Sequence, residues 1–179
     1  EYNQVMAKAL VSAVSHTLSA LFYLHSLGYV HGDIKEDNII IDTEGIPHII
    51  DLDLTRKVSL MATYGTRGYV CPEMKGWVKG VVGKSSDFWS FGIVILRWSL
   101  SISAGALDGK NAAQNRGRND RKHFNMMRKW WPLLNTGEEP VVNDELPLEI
   151  GEAAKRMVWP LLTLTPRDRN FDTVESQEW

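Results

Sequence analysis

Two short acidic segments, close together along the chain, hold the side chains best suited to chemistry. Residues 31–38 read H-G-D-I-K-E-D-N, and residues 51–53 read D-L-D. Each segment lies beside an apolar run typical of a strand, so Asp33, Asn38 and Asp51 should lie at strand ends, where they can converge. A carboxylate can accept a proton from a substrate hydroxyl, and carboxylate and amide oxygens are ligands for Mg²⁺. The pattern therefore suits phosphoryl transfer.

One predicted β-hairpin connects the two segments. Residues 39–41 are all isoleucine, a β-branched residue, which predicts a buried strand. Residues 42–45 supply turn chemistry, and residues 46–50 predict the returning strand. In antiparallel pairing the start of one strand lies beside the end of the other, so Asn38 and Asp51 should be neighbours.

Helices are predicted on both sides of this hairpin. Residues 4–27 contain neither Pro nor Gly, and Gly28 should end the first helix. Its buried face is spaced by three and four residues: Leu10, Val14, Leu18, Leu21 and His25. Ser85 or Ser86 can cap a second helix that runs to about Leu100 and is apolar nearly all round, as in a domain interior. A third helix is predicted over residues 150–164, with Met157, Val158, Leu161 and Leu162 inward and a kink at Pro160.

Composition limits the class of protein. The 179 residues suffice for one domain with a substantial core, and the net charge of −2 argues against a general nucleic-acid-binding surface. The single Cys71 cannot form an internal disulfide, which favours a reducing intracellular compartment, cytoplasmic or nuclear. No signal peptide is visible, and the apolar run at residues 88–100 is interrupted by Arg97 and too short to span a bilayer. We therefore expect no membrane association.

The chain resembles the C-terminal lobe of a protein kinase of the serine/threonine type. Residues 31–38 and 51–53 resemble its H-R-D-L-x-x-x-N and D-F-G motifs. Residues 65–73, G-T-R-G-Y-V-C-P-E, resemble G-T-x-x-Y-x-A-P-E, and residues 87–92, D-F-W-S-F-G, resemble D-x-W-S-x-G. Residues 166–169, P-R-D-R, resemble a late P-x-x-R. The matches are in order and cover nearly the whole chain.

The resemblance implies a mainly α-helical fold with short β-hairpins, in the α+β class. Residues 1–179 would form a partial protein kinase domain, the C-lobe, with residues 101–128 as a polar, basic insertion or loop within it. The sequence has no glycine-rich G-x-G-x-x-G loop and no V-A-I-K strand, so the N-lobe is expected to be absent from this chain.

The resemblance also implies catalytic roles. Asp33 would accept or orient the proton of the acceptor hydroxyl, and Lys35 would neutralise the transferring phosphoryl group. Thr66 would bridge these two residues, which favours a Ser or Thr acceptor in a protein substrate. His31 would brace the loop, and Asp87 would anchor its backbone.

ATP and Mg²⁺ are the implied cofactors. Asn38 and Asp51 would ligate Mg²⁺, Lys35 would contact the nucleotide's phosphate, and Ile40 would lie beneath the adenine ring. Elsewhere in the lobe, Glu73 and Arg169 would form a buried ion pair.

Departures from the family pattern keep two alternatives open. Gly32 replaces the Arg of H-R-D, Leu52 replaces the Phe of D-F-G but should keep its apolar packing, and Asp53 replaces the Gly. The missing N-lobe would suit a pseudokinase acting as a scaffold or binding module. The H-G-D sequence also resembles small-molecule phosphotransferases of the aminoglycoside and choline kinase type.

Two adjacent carboxylates suggest a substrate preference. Glu36 and Asp37 flank the catalytic loop where a peptide should lie, and carboxylates attract basic side chains. We therefore expect a preference for Lys or Arg near the acceptor residue.

Overall fold

The computed structural model of the chain describes residues 2–58, 65–75, 83–103, 154–163 and 166–169. Two helices and two short antiparallel ladders make up most of this part, a mixed α+β arrangement. The predicted insertion at residues 101–128 lies outside the described residues except for 101–103, which continue a helix rather than start a loop.

The first helix, α1, spans Tyr2–Ser26, and its predicted buried face is confirmed. Leu10, Val14, Leu18, Leu21 and His25 are all buried. Gly28 follows with φ of 82°, the left-handed conformation that glycine adopts readily after a helix end. By length and composition, Gln4–Ser26 (mean hydropathy 1.4) could also cross a bilayer, which is weak evidence because the core helix of a soluble protein passes the same test. The sequence-based expectation had considered only residues 88–100.

The predicted hairpin is confirmed, and it is shorter than expected. Strands β2 (Ile39–Ile41) and β3 (Pro47–Ile49) pair antiparallel, with Ile39 opposite Ile49. The burial expected for the first strand is wrong for two of its residues, because Ile40 and Ile41 are 51% and 54% exposed. Of this strand only Ile39 belongs to the hydrophobic core, and Ile49, which lies opposite it, packs against that core.

A second ladder was not predicted from the sequence. Strand β1 (Tyr29–Val30) pairs antiparallel with strand β4 (Arg56–Lys57). Both residues of β4 are exposed and charged, so no apolar alternation marked it as a strand. This ladder holds the chain after the D-L-D segment against the entry to the catalytic loop.

The second helix, α2, spans Lys84–Ser103 and is the central buried helix that its composition predicts. The predicted cap is wrong in position. Ser86 lies within the first turn, where its hydroxyl accepts the backbone N–H of Gly83 at 3.1 Å, as the third residue of a capping box does. Phe91, Ile93 and Leu96 are among its fully buried side chains.

The last described part closes the core beneath α2. Residues 154–158 are helical and lead into a 3₁₀ turn at Trp159–Leu161, and a second 3₁₀ turn follows at Pro166–Asp168. Pro160 has no N–H for an α-helical hydrogen bond, which accounts for the change of helix type. The four residues predicted to point inward are buried: Met157, Val158, Leu161 and Leu162.

Candidate active site

The loop that carries Asp33 is anchored on the buried carboxylate of Asp87, near the start of α2. The two Asp87 oxygens accept the backbone N–H groups of His31 at 2.8 Å and Gly32 at 2.9 Å. The Nε2 of His25, on α1, donates to the same carboxylate at 2.8 Å. The loop is therefore fixed to both helices, as the resemblance predicted for Asp87.

His31 braces the loop from inside. Its ring is fully buried, its Nδ1 accepts the backbone N–H of Asp33 at 3.3 Å, and its Nε2 donates to the carbonyl oxygen of Ile50 at 3.1 Å. Both ring nitrogens are thereby occupied, which assigns the proton to Nε2. The ring links the catalytic loop to the end of the hairpin, where Asp51 follows.

Three predicted catalytic side chains meet in one hydrogen-bonded cluster. Lys35 Nζ donates to Asp33 Oδ2 at 2.5 Å, and the Thr66 hydroxyl donates to Asp33 Oδ1 at 2.7 Å. The Thr66 backbone N–H donates to the same Oδ1 at 2.8 Å, and Lys35 Nζ lies 3.1 Å from the Thr66 hydroxyl oxygen. Thr66 thus contacts Asp33, which lies 33 positions earlier in the chain, through both its backbone and its side chain.

This cluster fixes the charge state of both ionisable groups. Burial alone would raise the pKa of Asp33, but hydrogen bonds from Lys35 and Thr66 and the Lys35 charge outweigh it, so the pKa lies below its ordinary value. The hydrogen bond to Asp33 raises the pKa of Lys35 despite desolvation, with help from the charges of Asp33, Asp51 and Asp37. At neutral pH the site therefore holds a carboxylate and an ammonium group.

Asn38 and Asp51 lie on adjoining chain segments, as the hairpin predicted. The backbone N–H of Ile50 donates to the carbonyl oxygen of Asn38 at 2.9 Å. The Asn38 amide nitrogen donates to the carbonyl oxygen of Asp33 at 2.9 Å, which leaves the amide oxygen as the atom able to bind a metal. Asp51 is exposed and has φ of 62°, in the left-handed region that non-glycine residues seldom occupy.

These two residues fit a magnesium ion. One amide oxygen and one carboxylate form an all-oxygen donor set, and Mg²⁺ is usually held by one or two carboxylates together with waters and substrate phosphates. Among the described residues no group of three or more His, Cys, Asp or Glu side chains could hold a metal. A site with few protein ligands is consistent with that finding.

Four exposed apolar residues lie close to Asn38 and Asp51 along the chain: Ile40, Ile41, Ile50 and Leu52. Ile40 is exposed, and the contact with adenine that the resemblance implies for it stays a prediction. The packing expected for Leu52 is wrong, because 57% of this residue is exposed and it is not part of the core.

A small cleft borders Asp33. Its lining includes Gly32, Leu54, Thr66, Tyr69 and Met74, whereas Asn38, Ile40 and Asp51 do not line it. The cleft and the candidate metal ligands therefore border different parts of the catalytic loop.

A family model described as the protein kinase domain matches residues 2–178. The chain belongs to the protein kinase family. It is 38% identical over 101 residues to mitogen-activated protein kinase kinase 10 of Arabidopsis thaliana, which covers 52% of this chain and 33% of that protein.

The names of two further relatives specify different acceptor residues, serine or threonine in one and tyrosine in the other. Over 101 residues the chain is 36% identical to the serine/threonine-protein kinase BCK1/SLK1/SSP31 of Saccharomyces cerevisiae, covering 53% of the chain and 7% of that protein. Over 85 residues it is 36% identical to the putative tyrosine-protein kinase C03B1.5 of Caenorhabditis elegans, covering 44% and 25%. The matched region spans a third or less of each of these relatives.

A buried ion pair between Glu73 and Arg169, which the resemblance implied, is confirmed. Arg169 Nη1 and Nη2 donate to the two oxygens of Glu73 at 2.5 and 2.8 Å, and both side chains are fully buried. The Arg169 guanidinium also lies 4.9 Å from the ring centroid of Trp89. The pair ties residues 65–75 to the last described segment.

The sequence did not reveal the internal partners of Glu36. Glu36, expected to face a basic substrate residue, accepts a hydrogen bond from Arg97 Nε at 2.6 Å and another from the Tyr69 hydroxyl at 3.2 Å. Arg97 was visible as the charge that interrupts an apolar helix, and that signal pointed to an internal partner. Asp37, by contrast, is exposed.

Proposed function

We propose that this chain is the C-terminal part of a protein serine/threonine kinase that transfers the γ-phosphate of ATP to Ser or Thr residues of protein substrates. The observation that carries the proposal is the cluster of Asp33, Lys35 and Thr66, in which an ionised carboxylate and an ammonium group share a hydroxyl. These groups match what phosphoryl transfer to an alcohol requires from a protein.

In the proposed reaction Asp33 accepts the proton of the acceptor hydroxyl. Its depressed pKa keeps it unprotonated before the reaction, and the two Thr66 donors to Oδ1 fix the plane of the carboxylate. Oδ2, held by Lys35, completes this orientation. Lys35 is close enough to stabilise negative charge on a phosphoryl group as it passes between donor and acceptor oxygens.

The amide oxygen of Asn38 and the carboxylate of Asp51 would hold Mg²⁺ with the nucleotide. When bound, the ion supplies charge neutralisation to the phosphates. The hydrogen bond from Asn38 to the Asp33 carbonyl aligns this ligand with the catalytic loop, and the bond between Ile50 and Asn38 aligns Asp51. The exposed Ile40 offers an apolar surface for an adenine ring.

The experiment is phosphotransfer by the full-length protein and by three variants: Asp33→Ala, Lys35→Ala and Asp51→Ala. Each should lower kcat on the order of 10²-fold or more, because each removes a preorganised charge or ligand. His48→Gln is the control, since His48 pairs with Asp42 in an exposed contact on the hairpin at 2.8 Å. A near wild-type rate for Asp51→Ala would refute the metal-ligand assignment.

The same assay separates the alternatives. Phosphoamino-acid analysis of a labelled protein substrate should show phosphoserine or phosphothreonine, and phosphotyrosine alone would refute the acceptor class. Nucleotide binding without any transfer by the wild-type protein would favour a pseudokinase. Transfer to an aminoglycoside or choline, with none to protein, would favour a small-molecule phosphotransferase.

A further inference from the structure

Glu36, Arg97 and Tyr69 form a half-buried cluster next to the proposed catalytic residues. One oxygen of Glu36 accepts both the Arg97 Nε–H at 2.6 Å and the Tyr69 hydroxyl at 3.2 Å. The Arg97 guanidinium carbon lies 5.6 Å from the Tyr69 ring centroid, within the range of a cation–π contact. Each member therefore contacts the other two.

The three residues come from three different elements, and each element also carries part of the site. Glu36 begins the 3₁₀ turn Glu36–Asn38, directly after Lys35. Tyr69 lies in the segment that carries Thr66, and its backbone N–H donates to the Thr66 carbonyl oxygen at 3.1 Å. Arg97 lies on α2, just under three helical turns after Asp87.

An external contact helps to fix the orientation of the turn. Lys35 precedes it as the N-cap residue and makes no side-chain capping hydrogen bond, because an ammonium group has no acceptor for the backbone N–H groups of the turn. The bond from Glu36 to Arg97 supplies such a contact, and Arg97 belongs to the most deeply buried helix of the described chain.

Tyr69 connects this contact to the segment on the other side of the cleft. Its carbonyl oxygen accepts the Ser90 hydroxyl of α2 at 2.9 Å, so its backbone is fixed to the same helix. Burial, with the charge of Glu36, raises the pKa of the Tyr69 phenol, so the hydroxyl remains a hydrogen-bond donor at neutral pH. Thr66 and Lys35 are thus both held relative to α2.

We propose that Glu36, Arg97 and Tyr69 are positioning residues that set the placement of Lys35 and Thr66 around Asp33. This inference rests on the proposed kinase function and deepens it. The cluster acts on the geometry of phosphoryl transfer and does not touch the nucleotide. Its Glu36 carboxylate is neutralised by Arg97, so Glu36 is not a contact for a basic substrate side chain.

The test uses four variants of the full-length protein with a protein substrate and MgATP. Tyr69→Phe removes only one hydroxyl, Glu36→Gln keeps an acceptor without charge, Arg97→Met removes the charge, and Arg97→Lys restores it. We expect kcat to fall about tenfold in Arg97→Met and severalfold in Glu36→Gln and Tyr69→Phe, because small misplacements of reacting groups slow transfer strongly. The KM for MgATP should stay within about twofold, and Arg97→Lys should recover part of kcat.

A double variant tests whether the residues act as one unit. Combining Glu36→Gln with Arg97→Met should lower kcat no further than Arg97→Met alone, since both changes break the same contact. Additive losses would overturn the proposal, as would wild-type kcat in Arg97→Met. The control His48→Gln changes an exposed hydrogen bond to Asp42 on the hairpin and should leave kcat unchanged.

Amide hydrogen exchange separates this inference from the proposed function. In Arg97→Met and Tyr69→Phe, amides of residues 35–38 and 66–69 should exchange faster, whereas amides of α1 should not change. Unchanged exchange at those residues, or an equal increase throughout the core, would overturn the positioning role. If the wild-type protein transferred no phosphate, the proposed function would fail, and the exchange measurement would still decide whether the cluster positions the two segments.

Discussion

Gly32 is the departure from the H-R-D motif that the structure explains most directly, and it gives the sharpest stability prediction. Gly32→Ala should destabilise the fold more than Gly28→Ala does. Both glycines have φ of 82°, so the conformational cost of a side chain is the same at the two positions. They differ in space, because a Cβ at Gly28 would meet nothing within 4 Å, whereas one at Gly32 would lie 3.1 Å from the Leu54 carbonyl oxygen.

The size of each loss of stability follows from the conformational cost of a side chain and from the steric contact with Leu54. A non-glycine residue in the left-handed region costs about 1–2 kcal/mol, and the reduced freedom of the unfolded chain offsets about 0.4–1 kcal/mol. Gly28→Ala should therefore cost about 0.5–1 kcal/mol. The contact with Leu54 adds about 1 kcal/mol, at the low end for overpacking, because a shift of a few tenths of an ångström relieves it. Gly32→Ala should therefore cost about 2 kcal/mol.

The assay is urea unfolding of the full-length protein, followed by tryptophan fluorescence since Trp89 is buried, with kcat measured in parallel. Gly32 directly precedes Asp33, so the displaced loop should also lower kcat in Gly32→Ala, whereas Gly28→Ala should retain wild-type kcat. Equal losses of unfolding free energy in the two variants would refute the steric argument. Subtracting one variant from the other removes the effects of the unfolded state.

Three other predictions concern stability, specificity and regulation. Arg169→Met should lower the free energy of unfolding by about 3–5 kcal/mol at pH 7, because it leaves the carboxylate of Glu73 buried and unpaired. Burial alone would raise the pKa of Glu73, but the hydrogen bond and charge of Arg169 outweigh burial and lower this pKa. The stabilisation from the pair should therefore be lost as the pH falls below 4.5, where Glu73 becomes protonated in the unfolded and then in the folded state. If urea unfolding gave the same loss of stability for Arg169→Met at every pH, this reasoning would be contradicted. Asp37→Ala should weaken any preference for Lys or Arg in a positional peptide library, and an unchanged profile would remove Asp37 from substrate recognition. Because the catalytic loop has Gly in place of the usual Arg, phosphatase treatment, Thr63→Ala and Tyr64→Phe should leave phosphotransfer active, whereas loss of activity with the fold intact would show that loop phosphorylation is required.

Sequence predicted those parts of the fold that depend on local pattern. The buried face of α1 repeats every three to four residues, and the hairpin has β-branched residues on both sides of a turn. The prediction that Ile40 and Ile41 are buried was wrong, because β-branched composition predicts a strand and does not say which of its residues other elements cover. The pairing of β1 with β4 was missed because Arg56–Lys57 has no apolar residue to mark it.

The candidate site was predictable to a different extent at each residue. Asp33, Lys35 and Asn38 lie within one short loop, so their proximity follows from the chain itself. Thr66 is 33 positions from Asp33, and only the family resemblance placed it at the carboxylate that it binds. The exposure of Leu52 depends on what packs against it, which no local pattern reports.

The ion pair between Arg97 and Glu36 could have been predicted in part from the sequence. An arginine inside an apolar, buried helix must have an internal partner, because an unpaired buried charge costs several kcal/mol. That argument predicts a carboxylate near Arg97 but cannot identify which residue carries it, since Glu36 is 61 positions away in the chain. Charge attraction favoured a substrate contact for Glu36 only while its own partner was unknown. Once Arg97 neutralises it, charge attraction no longer favours Glu36 as the contact for a basic substrate residue.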